Sequence, residues 1–509
     1  MMPPMAPMPM QPMGRRARWG RQLMAGNALI KQSLPNWFAT FAVGTYAVAL
    51  LGVNLMFSSY AMEWYFWLFG IAWVAGFFLL SVKYSQEWSV LHIKRQKAFE
   101  HKLFWTGFWL RVAYALFIYI FYIQMTGKPF EFAAADSEGY ISTAQDLVDA
   151  SEHGTLWQYI TSFARVSFSD MGYPLIIFIP LRIFGTDLTL FLLRIISAFF
   201  GALTSVLIYR MTSRTIGEVA ARFAGIFCML HPVLICYVGI TLKEVIMTCL
   251  LVLFINYSDK ILVSKKYTLS SLAPLVLTGF SLFLFRTVLG LVAIMAVFFA
   301  LVMMDTKIAG WGKKITLGVV LVGAILFGAS DNIMREVNTI RNTDVREQQE
   351  MSMTMRYGSG KGGKQGGNKF ADYAGAAVFA PLIFTIPFPT MVAIQGQDDM
   401  RLIHGGNWMR NVMSGFVIMA MFMLLLTGDW RKYTLPLAIL LGYLVMLVFT
   451  PFAHSLRFHI PVMPFEMMFA AYAITNMRKK HRMWYLYWCM FTIVTCFAWN
   501  WFKLKGRGL

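Results

Sequence analysis

The chain has 509 residues, 58% of them hydrophobic and 14% charged, with a mean hydropathy of +0.57. Soluble domains are about 45–50% apolar and about 25% charged, so a water-soluble fold, a disordered chain and a disulfide-stapled secreted scaffold are excluded. What remains is an all-α polytopic membrane protein; the 45 Lys and Arg against 25 Asp and Glu fall in short clusters between apolar runs, the pattern of membrane orientation and not of a nucleic-acid partner.

Residues 1–35 are rich in Met and Pro and lack a compact apolar stretch before a cleavage site. They read as a disordered cytoplasmic tail carrying Arg15, Arg16, Arg18 and Arg21, not as a signal peptide. Apolar runs then predict about thirteen spanning helices, since each needs about 20 apolar residues. They lie near 37–57, 62–83, 104–125, 187–209, 217–237, 242–258, 269–285, 287–304, 314–330, 409–427, 433–451, 458–476 and 483–502. With the tail inside, Lys94, Arg95, Arg210, Arg214, Lys265, Lys266, Lys313, Lys314, Arg431, Lys479 and Lys480 all fall on cytoplasmic connections. The outer connection SSYAM at 58–62 carries no cation, whereas the tail KLKGRGL lands outside despite its charge.

Two outer segments are long. Segment 126–186 contains an amphipathic stretch with Tyr140, Ala144, Leu147, Leu156, Tyr159 and Ile160 expected toward the membrane. It ends in MGYPLIIFIPLRIFG, short for a span and expected to lie as a juxtamembrane helix in the interface. Segment 331–408 opens polar, passes through the flexible run GSGKGGKQGGNK, and continues as AAVFAPLIFTIPFP, expected on or partly in the outer leaflet. The five cysteines sit in apolar runs without metal-ligand spacing and read as small buried hydrophobes.

The informative residues are ionisable groups at the outer boundary, because a charge in hydrocarbon costs about 2.5–3.5 kcal/mol even on the milder scales. Asp136 and Glu138, in AAADSEGY, could rim a cavity at the membrane surface or be solvated loop carboxylates, with Asp136 capping a helix that starts near Gly139. Lys243 and Glu244 sit where a helix re-enters the membrane, as a phosphate-binding Lys at a helix N-terminus or a snorkelling pair. Arg457 and His459 open another apolar span beside Pro461 and Pro464; Arg457, like Arg286, suits a bidentate phosphate contact or an interfacial anchor. His231, next to Pro232 deep in a span, reads as structural. No HExxH, CxxC or GxSxG is present, and GSGKGGKQGG lacks the P-loop order.

The order Asp136–Tyr140, GYPLIIFIPLRIFG, LLRIISAFFGALTSVLIYRMTSRTIG, FAGIFCMLHPVLICYVGITLKEVIMTCLLVLF and, late, RFHIPVMPF resembles the GT-C glycosyltransferases. That superfamily includes protein O-mannosyltransferases and aminoarabinose transferases. The similarity covers about 130–260 and 457–470, is missing from 1–100 and is weak over 305–450. It implies a GT-C-like catalytic core over 101–330, preceded by an additional helix pair with a basic cytoplasmic loop (36–100) and followed by the outer loop 331–408 and C-terminal helices 409–509. It also implies an inverting transfer of a sugar from a polyprenyl-phosphate donor to a lipid, glycan or protein acceptor, on the periplasmic face of a bacterial inner membrane. By that resemblance Asp136 is the catalytic base, with Glu138 as a second carboxylate; relatives with an adjacent Asp-Glu pair contrast with Asp136-Ser137-Glu138 here and leave a divalent metal open. Tyr140, Lys243, Glu244, Arg286, Arg457 and His459 are the expected substrate-binding residues. A lipid phosphate is a good leaving group, so one carboxylate and a phosphate clamp meet the chemical need. Two other readings stay open. One is an O-antigen polymerase or ligase using Arg335, Arg341, Arg346 and Arg356; the other is a lipid-linked-sugar flippase with ionisable groups at the midplane.

Overall fold

A computed structural model describes residues 30, 32–89, 96–263, 269–303, 382–448 and 455–505. The described residues are helical, without strands. In chain order the helices are α1 Asn36–Met56, α2 Trp64–Ser89, α3 Gln96–Thr126, α4 Ala135–Glu152, α5 Leu156–Ser167, α6 Gly172–Thr215, α7 Glu218–Leu230, α8 Pro232–Cys236 and α9 Glu244–Val263. There follow α10 Leu269–Phe285, α11 Thr287–Met303, α12 Asp398–Leu402, α13 His404–Thr427, α14 Thr434–Val448, α15 Leu456–His459, α16 Met463–Asn476 and α17 Arg482–Lys505.

Among the described residues seven helices are long and apolar enough to cross a membrane: α1, α2, α3, α6, α9, α13 and the stretch Asp429–Val448 that contains α14. The protein is therefore multi-pass. The apolar helices of α10 and α11 are shorter, and the run at 217–237 is divided into α7 and α8 at His231-Pro232, where proline removes a backbone donor. The expected run at 314–330, the Arg335–Arg356 cations and the Gly/Lys-rich stretch lie outside the described residues.

The core is made where apolar helix faces pair: α6 with α3 and α7, α13 with α2 and α16, α9 with α10, and α11 with α14. All five cysteines are free and buried, as expected. Interior arginines hold the places where backbone leaves the helical ladder. Arg111 of α3 donates to the carbonyls of Cys228 and Met229, at the end of α7, at 3.1 Å each. Those carbonyls precede the proline break, and water cannot satisfy them inside the bundle.

Three local expectations change. The amphipathic segment begins at Ala135, so Asp136 lies in the first turn of α4 and Ala134, not Asp136, is the cap. Ala144 and Leu147 are buried, and α4 packs against α6, so that face serves the protein interior and not lipid. The stretch after Pro381 is irregular and buried, not laid on a surface. Its polar backbone is matched by side chains of the bundle: Asn500 accepts from the Met391 amide at 2.7 Å and donates to the Pro389 carbonyl at 3.0 Å, while Arg410 and Asn411 donate to Ile386 and Thr385 carbonyls. The segment 172–185 is helical as expected and joins α6 through a break at Gly185, whose φ of 73° is available to glycine without strain.

Candidate active site

The site forms at one end of the bundle, where four connections meet. The first is the loop 127–134 leading into α4. Arg194, buried in α6, ties it down by donating to the carbonyls of Pro129 and Gly239, the latter at 2.8 Å. Asp399 of α12 accepts the amides of Phe132 and Ala133 at 3.3 and 2.9 Å. The hydroxyl of Ser137, on the buried face of α4, lies between the Thr241 carbonyl at 3.2 Å and the Glu131 carboxyl, with which it is hydrogen-bonded. These bonds lock the start of α4 to the connection before α9, so Asp136 stands beside Lys243 and Glu244 although they are about a hundred residues apart in sequence.

Arg457, from the short helix α15, is the hub. Its Nε binds Glu244 Oε1, its Nη1 binds Asp136 Oδ2, and its Nη2 lies 3.5 Å from the Tyr140 hydroxyl. Glu244 is fully buried in the first turn of α9, where a helix N-terminus favours a carboxylate, and Arg286 Nη2 lies 3.6 Å from the same Oε1. Arg286 also covers the Phe458 ring and donates to the Tyr443 hydroxyl at 3.4 Å. Burial would lower the basicity of Arg457, but the Glu244 carboxylate against its guanidinium outweighs it and raises its pKa.

Lys243 is almost sealed. It donates to Asp170, to the Ser169 carbonyl at 3.2 Å and to the Phe285 carbonyl at 2.6 Å, using the three donors an ammonium has. Burial lowers its pKa, opposed by Asp170. Tyr140 closes the ring of contacts, donating to Asp170 at 3.3 Å. The cluster thus balances three cations, Arg457, Arg286 and Lys243, against three carboxylates, Asp136, Glu244 and Asp170. Asp136 and Asp170 are its exposed members, with side-chain exposures of 63% and 48%.

Two expected site residues sit elsewhere. Glu138 is two positions along α4, on another face of the helix from Asp136, and pairs with Lys128 at 2.9 Å at the surface. His459 is turned into the bundle, with Nδ1 2.9 Å from Arg410, which is itself paired with Glu466. Sequence reading missed Asp170, Asp399 and Glu131. The first two look like ordinary loop acids, and Glu131 is a single acid in a short connection between helices. Its burial is tertiary: its carboxyl pKa is pushed up to about 7 by loss of water, with the Ser137 hydrogen bond opposing. Burial also raises Asp399, against the pull of the two amides. Among the described residues no group of three or more His, Cys, Asp or Glu is arranged to hold a metal ion.

Beside the cluster lies a cavity of about 220 Å3, lined in part by Asp136, Arg457, Glu131, Asp399, Tyr237 and Leu456. An exposed carboxylate, a cluster of buried cations and a cavity beside them are an arrangement suited to a transfer reaction on a hydroxyl. Residues 140–334 match the model of the Alg9-like mannosyltransferase family, a GT-C-type family of membrane glycosyltransferases. No curated protein and no solved structure matches the chain. The match over these residues indicates a membrane glycosyltransferase, which implies a sugar donor and an acceptor in the membrane.

Proposed function

We propose that this glycosyltransferase moves a sugar from a polyprenyl-phosphate donor to an acceptor hydroxyl, with inversion, on the periplasmic face of a bacterial inner membrane. The reading rests on one observation above others: Arg457 bonds at once to an exposed carboxylate, Asp136, and to a buried one, Glu244, next to two further cations. A base and a phosphate clamp are thereby joined through one guanidinium.

In the reaction the acceptor oxygen attacks the anomeric carbon and the carbon–oxygen bond to the lipid phosphate breaks. Asp136 takes the acceptor proton. The departing phosphate meets Arg457, Lys243 and Arg286, which stabilise charge where it develops in the transition state. Glu244 positions Arg457 and Arg286, and Tyr140 spaces Asp170 from Arg457. No general acid is needed, in contrast to a glycosidase, because the leaving group is already a phosphate. The matched family suggests a mannosyl group; lipid, glycan and protein acceptors are all compatible with a hydroxyl nucleophile.

Orientation follows from charge. The pairs Arg210–Glu100 and Arg214–Asp259 lie at the ends of α3, α6 and α9 that are opposite to the site. Cation-rich connections favour the cytoplasm, which leaves the site outside. About thirteen spans, counting shorter and interrupted helices, is the crossing number this orientation uses. The test is transfer of radiolabelled sugar from polyprenyl-phosphate mannose in membranes. Asp136→Asn should lower kcat by about 10²–10⁴-fold, the usual worth of a positioned base, with donor binding kept. Full activity in Asp136→Asn would remove the base assignment.

A further inference from the structure

The cavity beside Asp136 differs in character from the cationic cluster. Lys243, Arg286 and Asp170 do not line it; Asp136, Glu131 and Asp399 do, with Arg457 as the one cation among the described residues of its lining. A surplus of carboxylates repels a phosphate and accepts hydrogen bonds from hydroxyls. Glu131 is 6% exposed, and its Oε2 has no hydrogen-bond partner among the described residues, while its Oε1 is held by Ser137. An unmet carboxyl oxygen in so dry a place is costly, and a hydroxyl entering the cavity is the group that would complete it. Asp399 keeps spare acceptor capacity beyond the two amides it binds. The volume of about 220 Å3 equals that of about seven liquid waters and falls below the range of drug-sized pockets. One ring fits within it.

We propose that this cavity is the acceptor subsite, that it takes a single uncharged, polyhydroxylated ring such as a pyranose, and that Glu131 is the residue that positions one of its hydroxyls. The proposal deepens the transferase reading: Arg457 and Asp136 then stand at the divide, with the lipid phosphate on the cationic side and the acceptor on the carboxylate side. The ring is held by carboxylates and presents a free hydroxyl to Asp136. Specificity against anionic heads comes from the same carboxylates.

The test uses the full chain in nanodiscs without donor, with methyl α-D-mannopyranoside, methyl α-D-glucopyranoside and methyl α-D-galactopyranoside as probes at tens of millimolar, the range expected for one ring. Binding is read by saturation-transfer NMR. Wild type should bind at least one of them, and mannose 6-phosphate more weakly. At about pH 8, where the Glu131 carboxyl is ionised, Glu131→Gln should weaken binding at least about tenfold, the worth of a hydrogen bond to a charged group. Ala133→Leu, which fills the cavity from its lining without altering a charge, should abolish binding with the melting temperature unchanged. No binding by wild type, or undiminished binding by folded Glu131→Gln or Ala133→Leu, overturns the proposal. Because donor is left out, a failure of sugar transfer from polyprenyl phosphate counts against the transferase reading alone.

Discussion

Lys243 makes the sharpest statement at the scale of single residues. Its three donors are already committed to Asp170, Ser169 and Phe285, so a donor phosphate can reach it only by replacing one of them. Asp170 is the replaceable one: its side chain is half-exposed, and it carries the same sign as the incoming phosphate. Asp170→Asn should therefore lower the KM for a polyprenyl-phosphate sugar by about two- to fivefold, within the small energies of a partly exposed ion pair, and Lys243→Met should raise it. Initial rates against donor concentration measure both; an unchanged KM in Asp170→Asn would make Asp170 a fixed structural counter-ion. Asp136, Lys243, Glu244, Arg286 and Arg457 were legible in the sequence because a charge at the end of an apolar run is conspicuous. Glu138 misled because a carboxylate two residues away looks near in sequence, whereas a helix turns it to another face. Glu131 and Asp399 carried no such signal, since only the folded loop removes them from water.

The elements meet through close backbone approach and through donors placed at helix breaks. Where α2 crosses α13, a Cβ added at Gly405 would lie 2.5 Å from the Gly70 carbonyl oxygen, and one added at Gly70 would strike Tyr46 and His404. Small residues of this kind let membrane helices touch along their backbones. His404 is bonded there, with Nε2 2.8 Å from the Tyr46 hydroxyl, and α12 and Asp399 follow from the same crossing. Gly405→Ala must push rigid backbone, so unfolding in detergent should show a loss of about 1–3 kcal/mol. Gly76→Ala, where nothing lies within 4 Å, should be neutral or slightly stabilising through helix propensity. Equal stability of the two variants would show that the crossing tolerates separation. Helix existence was readable from apolar runs. The break at His231-Pro232 and the buried course of 382–394 were not, because they depend on Arg111, Arg410, Asn411 and Asn500 arriving from distant helices to satisfy free backbone groups.

At the scale of the whole molecule the two ends of the bundle differ. One holds the Arg457 ion cluster and its cavity; the other holds Arg210–Glu100, Arg214–Asp259 and Arg222–Glu218. The C-terminal Lys503, at the site end against the general charge trend, donates to Thr390 and Gln397 at 2.7 Å each, so its charge serves the fold. The proposed orientation is open to a direct check. Glu152 and Lys480 are exposed and lie near opposite ends, and the native cysteines are buried. A membrane-impermeant maleimide should label Glu152→Cys in intact cells and Lys480→Cys only after permeabilisation; the reverse pattern would invert the protein and put the site in the cytosol.

The chain's composition determined that it is a helical, multi-pass protein, because so much apolar surface has no other stable environment, and the placement of charge at run ends marked most of the ionised groups of the cluster. Tertiary structure alone decided that Arg457 meets Asp136 and Glu244, that His459 turns into the bundle, and that Glu131 sits dry beside a cavity. Periodicity records what each helix does with its own neighbours, whereas the Arg457 contacts join segments more than two hundred residues apart and depend on loops that Arg194, Asp399 and Ser137 draw together.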